Sequence, residues 1–248
     1  MQTQGLSTIR LTLCEFPTPS IPNLESFSPF CLKVHRALKV AGLPYTSRYN
    51  GDPSAFKSLN PARQVPILVI ENEARQEVIS DSSRIVDRIE RLSPERFAAT
   101  SRIERAEAEL WEELADTALN GFLVASRWAD DRNWQRTKSA YFVGMPGPVA
   151  FFLVPRIRAR VLAGLHARDI WRQGPDACWE RFTAILDHLD ARAPKTDYWV
   201  GTNLSRADVA IFAQLHSLRT ELTVWQRDQL ATRRNLSAYL DRVDAATR

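Results

Sequence analysis

The sequence predicts a two-part chain: a mixed α/β domain over roughly the first ninety residues and an all-helical domain after it. Three observations carry this. Ile9, Leu11 and Leu13 alternate with Arg10 and Thr12, the two-residue period of a strand. Phe30, Val34, Ala37, Leu38 and Ala41 recur at threes and fours, the period of a helix with one buried face. Beyond about residue 100 the apolar pattern is helical throughout.

In chain order, the strand at 9–13 leads into FPTPSIPNLESF, an irregular stretch with three prolines. Ser28-Pro29 then opens the first helix, because serine accepts from the first free backbone N–H groups and proline fits the first helical position. Gly42 can close that helix in a left-handed conformation, and Pro44 prevents its continuing. YTSRY at 45–49 reads as a second strand, PSAFKSLNP as a short helix or turn, PILVI at 66–70 as a third strand and EVI at 77–79 as a fourth. Between the last two, ENEARQ is the turn. Asp81 starts another helix with Ile85, Ile89 and Leu92 on its buried side. A crossover helix favours a parallel first strand pair and a short turn an antiparallel last pair. The order β-α-β then β-β-α, with a mixed four-stranded sheet, is the thioredoxin-like pattern.

SPERFAAT at 93–100 reads as a linker, so the domains fall at 1–94 and 101–248. In the second, Ile103, Ala106, Leu110, Leu114 and Ala118 mark the stripe of a long helix reaching about Trp128. VGMPGP at 143–148 is a loop. Residues 149–163 can be helical with Pro155 as a kink or boundary. Trp179, Phe182, Leu186 and Leu189 stripe a helix that starts at Pro175, and further helices run from Ser205 to about Leu218 and from about Asn235.

Composition narrows the functional class. Of 248 residues, 44% are hydrophobic and 25% charged, a globular balance. The longest apolar run, VAFFLV at 149–154, is too short to cross a bilayer. The start lacks a basic segment followed by an apolar block, so a cytoplasmic setting is expected. Cys14, Cys31 and Cys178 are odd in number, far apart and free of any CxxC pair, which argues against a disulfide framework. The four histidines have no ligand spacing, and no metal is expected. Residues 126–172 hold nine Lys/Arg against three Asp, a local +6. That stretch reads as a nucleic-acid surface, a solvated helical face or a rim that attracts a small anion. No aromatic-basic signature, zinc-finger spacing or heptad repeat accompanies it, so no nucleic-acid partner is expected.

Three short segments can carry chemistry. At Ser28-Pro29 two or three N–H groups point outward beside the positive pole of the helix, a place for an anion; an ordinary cap reads the same way. Cys31, in the first turn, is a buried inert thiol or a reactive one. In NPARQVP at 60–66, a trans Val65-Pro66 bond makes a plain turn, whereas a cis bond would present the Val65 backbone to a ligand. In ISDSSRIVDRIE at 79–90, Asp81 and Ser82 are a cap, or they bind an amino-acid head group, its carboxylate at the N–H groups and its ammonium at Asp81. Strand order brings all three segments to one edge of the sheet.

There the chain resembles the soluble glutathione transferases over nearly its whole length. SPFCLKVHRALKVAGLPY is similar to the family's first helix, with serine where glutaredoxin-like members carry the first cysteine. NPARQVPIL is similar to its cis-proline segment, in the form of the zeta branch. ISDSSRIVDRIE is similar to the E/D-S-x-x-I segment, and YWVGTNLSRADVAIFAQL to a structural capping box in which Ser205 caps and Asp208 reaches back. The insertion at 17–27, within FPTPSIPNLESFSPFCLKV, and GLHARDIW also resemble the metaxin and failed-axon-connections branch.

The resemblance implies glutathione as co-substrate. Its γ-glutamyl end would lie at Asp81 and Ser82, its cysteinyl backbone would pair with Val65, and its glycyl carboxylate would lie near Gln64 and Lys33; Phe30 and Pro66 complete the implied glutathione-binding set. Ser28 would donate a hydrogen bond to the thiolate, which attacks a small-molecule electrophile; Cys31 is the alternative thiol, through a mixed disulfide. A free thiol titrates near ~8.5, and lowering it by about two units needs roughly 2.7 kcal/mol, within reach of one hydroxyl and a helix pole. Tyr141, Phe142, Phe151 and Phe152 are either walls of an apolar acceptor site or core. The resemblance also implies a homodimer. A non-catalytic interaction protein that kept the fold is the competing reading, motivated by the insertion and the basic stretch.

Overall fold

The structure, a computed structural model, describes residues 9–73, 75–97 and 101–248. The far end of the expected linker, residues 98–100, and one position of the turn at 71–76 lie outside them. Four strands, β1 (Arg10–Glu15), β2 (Thr46–Tyr49), β3 (Ile67–Glu71) and β4 (Gln76–Ser80), form one sheet in the order β2-β1-β3-β4. β1 and β2 are parallel, joined through helix α1 (Pro29–Val40); β1–β3 and β3–β4 are antiparallel. The thioredoxin-like sheet expected from the element order is therefore present.

Side chains alternate across this sheet as the two-residue period demands. Leu11, Leu13, Leu68, Ile70 and Ile79 face α1 and α2 (Ser82–Leu92), where they meet Val34, Leu38, Ile85 and Ile89. Cys14, Ile67 and Val69 face the other way and are covered by Phe56.

The helical half begins with α3 (Arg102–Leu114), which passes through a π-helical turn at Ala115–Leu119, α4 (Asn120–Val124) and a second π turn at Ala125–Ala129. Then come α5 (Asp131–Tyr141), α6 (Gly147–Ala167), α7 (Pro175–Arg192), α8 (Arg206–His216), α9 (Val224–Ala231) and α10 (Arg234–Thr247). Every residue of α8 is buried. Its start is held by Asp208, which accepts from the Ser205 N–H at 2.8 Å, the Trp199 N–H at 2.7 Å and the Tyr239 hydroxyl at 2.6 Å. Burial pushes the Asp208 carboxyl above the usual range, and these donors work against that.

Three sequence expectations need correction. α1 is buried on both sides rather than one: Val34, Ala37 and Leu38 face the sheet, while Leu32 joins the core of the helical half and the helix packs on α8 and α10. The stripe assigned to α3 faces the wrong way, since Ile103 and Leu110 are exposed. The buried line is Ala108, Glu112, Ala115 and Leu119, where alanines let α8 approach closely and a carboxylate takes a core position because two cations meet it there. Pro155 lies inside α6, which runs through it without a break.

Candidate functional site

Two cavities flank the start of α1. The first, of about 390 Å³, is lined by Phe30, Gln64, Val65, Pro66, Asp81 and Ser82, and by Asn60, Ala62, Ser80, Ser83, Glu113 and Asp116. The structure thus brings the proline corner and the start of α2 together against the first turn of α1. The Val65-Pro66 peptide bond is cis. Neither backbone group of Val65 has a backbone partner among the described residues, whereas the Gln64 carbonyl accepts from the Asn60 amide at 2.9 Å. Asp81 sits at φ +90°, a backbone region that L residues adopt at a cost of ~1–3 kcal/mol. Its Oδ1 accepts from the Ser83 and Arg84 N–H groups at 3.1 Å each, so it caps α2, and its second oxygen is not used in that cap.

Glu113 and Asp116 are functional candidates that sequence reasoning missed. They come from the helical half and leave no local motif, so only the packing of α3 beside α2 brings them to this wall. Together with Asp81 they give the cavity three carboxylates and no cationic side chain among its lining residues.

Lys33, expected near a carboxylate of the ligand, is elsewhere. Its ammonium is fully buried and donates to Asp116 at 2.5 Å, Glu112 at 2.9 Å and Ser83 Oγ at 3.2 Å. It ties α1 to α2 and α3. Burial pushes the Asp116 carboxyl upward, and Lys33 pulls it back.

Ser28 lines neither cavity. It is 8% exposed, caps α1, and its Oγ accepts from the Cys31 N–H at 3.3 Å. Its neighbours straddle the two spaces: Phe30 lines the first and Phe27 the second. Cys31 is fully buried, and burial pushes its thiol up to about 12 despite the opposing Ser28 and Ser26 hydroxyls. Cys14 and Cys178 are buried too, and burial raises their thiols. The folded protein is accordingly expected to give no rapid reaction with a thiol reagent at pH 8 and three equivalents after denaturation. A fast native equivalent, mapped to Cys31, would restore that residue as a nucleophile.

The second cavity, of about 580 Å³, lies between the insertion and the helical half. Phe16, Pro17, Pro19 and Ile21 make one wall; Trp128, Tyr141, Phe142 and Ile157 make the other. No charged side chain lines it. Arg127, buried below, fixes the floor by donating to the Phe27 carbonyl at 2.8 Å, the Tyr141 hydroxyl at 2.9 Å and the Ser217 carbonyl at 2.8 Å. Of the four aromatics left between acceptor site and core, Tyr141 and Phe142 line this cavity. Phe151 and Phe152 do neither and are exposed. Among the described residues no group of three His, Cys, Asp or Glu could hold a metal ion, and no helix is long and apolar enough to cross a membrane.

Comparison with known proteins agrees with the fold. Residues 27–92 match the sequence model of the glutathione S-transferase N-terminal domain, and residues 153–242 that of the C-terminal domain. Glutathione transferase Omega 2S from Trametes versicolor, solved in complex with 2,4-dihydroxybenzophenone, is 20% identical over 96% of this chain and 89% of its own, with a TM-score of 0.58. A glutathione transferase family member from Pseudomonas fluorescens, solved with two glutathione bound, is 15% identical over 96% and 92%, with a TM-score of 0.61. The β-etherase LigF from Sphingobium is 22% identical over 95% of both chains, with a TM-score of 0.58. At these identities the likeness to solved structures is one of fold.

Proposed function

Because this chain belongs to the glutathione S-transferase family, carrying both of its domains in order over more than half of its length, we propose that it binds glutathione in the 390 Å³ cavity and presents the thiolate to an electrophile in the apolar one. One observation carries the reading: Val65-Pro66, Gln64, Asp81 and Ser82 line a single space at the first turn of α1.

The γ-glutamyl ammonium is assigned to Asp81 with Asp116 and Glu113, and its carboxylate to Ser82 at the start of α2. The cysteinyl backbone pairs with the unpartnered Val65 N–H and C=O, extending the sheet edge by strand-like bonds. Asn60 and Gln64 take the glycyl end. The thiol then lies toward Ser28, between the two cavities. An uncharged aromatic electrophile suits a cavity walled by five aromatic rings and no charge. That relatives of the same fold were solved with glutathione and with a dihydroxybenzophenone supports both ligand classes.

The burial of Ser28 favours a second reading, a metaxin-like protein that kept the fold and lost catalysis. Calorimetry and turnover separate the two. Glutathione is expected to bind with a micromolar to millimolar Kd. Asp81→Asn, which keeps the cap, is expected to weaken it about tenfold through loss of one charge-assisted hydrogen bond. No heat with glutathione sinks the first reading; binding without turnover across a panel of aromatic electrophiles supports the second. A two-fold homodimer goes with the family reading, and light scattering checks it.

A further inference from the structure

From residue 132 to 168 the chain holds seven Lys/Arg and no Asp or Glu. α5, the VGMPGP connection and α6 carry this stretch, and its tip is apolar and bare. Val143 is 83% exposed, Phe151 74% and Phe152 61%, with Val149 and Leu153 exposed beside them. Only Val154 and Leu165 of the 21 residues of α6 are buried. Large apolar side chains gathered in water mark an interaction surface.

The charges around this tip say what it meets. Arg132 and Arg158 are paired with Asp130 and Asp131, and Arg168 donates to Asn120 and to the Thr117 carbonyl. Arg136, Lys138, Arg156 and Arg160 have no acidic partner among the described residues. Phe152, Arg156 and Arg160 follow at intervals of four, so they share one exposed face of α6, and Arg156 donates back to the Phe152 carbonyl at 3.0 Å.

We propose that the tip of the α5–α6 hairpin docks on an anionic phospholipid surface. Phe151, Phe152 and Val143 enter the boundary between headgroups and acyl chains, and the four unpaired cations meet the lipid phosphates. A second copy of this chain is a poor occupant, since a two-fold contact through the face would set arginine against arginine with no carboxylate to answer. Phe151 and Phe152 are consecutive on the helix, and their rings meet edge to face, 5.1 Å apart at the centroids and 88° apart in plane, as one broad apolar knob. A fluid medium accepts both. The 580 Å³ cavity supports a use for the docking, because Val143 is one of its walls as well as part of the tip. An apolar solute dissolved in the bilayer reaches the cavity without crossing water. The proposal stands apart from the glutathione reading and needs no glutathione to be tested.

The test is flotation of the full-length chain with vesicles of phosphatidylcholine alone and of phosphatidylcholine mixed with phosphatidylserine. Binding is expected to the mixed vesicles and to weaken as salt is raised. Each basic residue near an anionic surface is worth about fivefold, so the double variant Arg156→Glu with Arg160→Glu should bind at least about 25-fold more weakly. Phe151→Ser with Phe152→Ser should lose binding by more than about tenfold with an unchanged melting temperature, since both side chains are already in water. The proposal is overturned if the wild-type chain stays with the protein fraction on mixed vesicles, or if the phenylalanine variant floats as well as wild type. It is equally overturned if light scattering shows that variant turning a dimer into a monomer, which would make the tip a self-contact.

Discussion

Replacing Lys33 with methionine is expected to destabilise the protein by about 3–5 kcal/mol, toward the lower end of that range, as the cost of stripping a buried charge of its partner. The side chain is nearly the same length, so packing changes little. What changes is that Asp116 loses its cation while remaining mostly buried. Glu112 loses one of two, because Arg206 still reaches it at 3.2 Å. Urea unfolding at pH 7 should show a lower midpoint with an unchanged slope. The pH dependence has a definite sign. Burial already raises the Asp116 carboxyl, and without Lys33 little but the Ser83 hydroxyl is left to oppose that. A carboxyl whose folded pKa exceeds its unfolded one binds more protons folded, so the variant should regain stability as pH falls through the raised value. Adding Asp116→Asn should recover part of the loss at pH 7, because the uncompensated charge is then gone. A loss within about 0.5 kcal/mol would mean that this ion cluster does not hold α1 to the helical half.

The sheet and the helix starts were legible because their signals are local. Alternation in RLTL, the cap at Ser28-Pro29 and the Ser205-x-x-Asp208 box each depend on residues a few positions apart. The buried face of α3 was not legible, because its logic is not hydrophobic. Ile103 and Leu110 look like core and lie in water, while Glu112 looks like surface and lies between Lys33 and Arg206. A carboxylate becomes a core residue only when distant parts of the chain bring cations to it, and nothing near position 112 records that. Lys33 hides its role for the same reason: it lies near Ser28 along the chain, but its partners Glu112 and Asp116 come from far away in it. The walls at Val65-Pro66 and Asp81-Ser82 could be read from short motifs; the Glu113 and Asp116 wall could not.

Removing the Ser28 hydroxyl is expected to lower kcat/KM for glutathione conjugation by about 10–100-fold while leaving glutathione affinity within about threefold. The magnitude follows from one hydrogen bond to a charged acceptor, ~1.5–3 kcal/mol, lost from the thiolate but not from the rest of the tripeptide. Ser28 is 8% exposed and lines neither cavity, so on this reading the donation runs through its hydroxyl proton alone. The Ser28 oxygen accepts from the Cys31 N–H, which uses a lone pair and leaves the hydroxyl proton free. The thiol of bound glutathione should then titrate higher in the variant, so the rate loss should shrink as pH rises and more thiolate forms unaided. Capping is the confounding effect, since Ser28→Ala also removes a helix cap at a cost of about 1 kcal/mol. Ser28→Gly separates the two, because glycine caps within a few tenths of a kcal/mol of serine and has no hydroxyl. If the hydroxyl acts on the sulfur, both variants lose activity alike and only alanine loses stability. If glycine restores the rate, Ser28 serves the helix alone. The start of α1 then has to steady the thiolate with its backbone N–H groups, which are worth less to a sulfur anion than a directed hydroxyl.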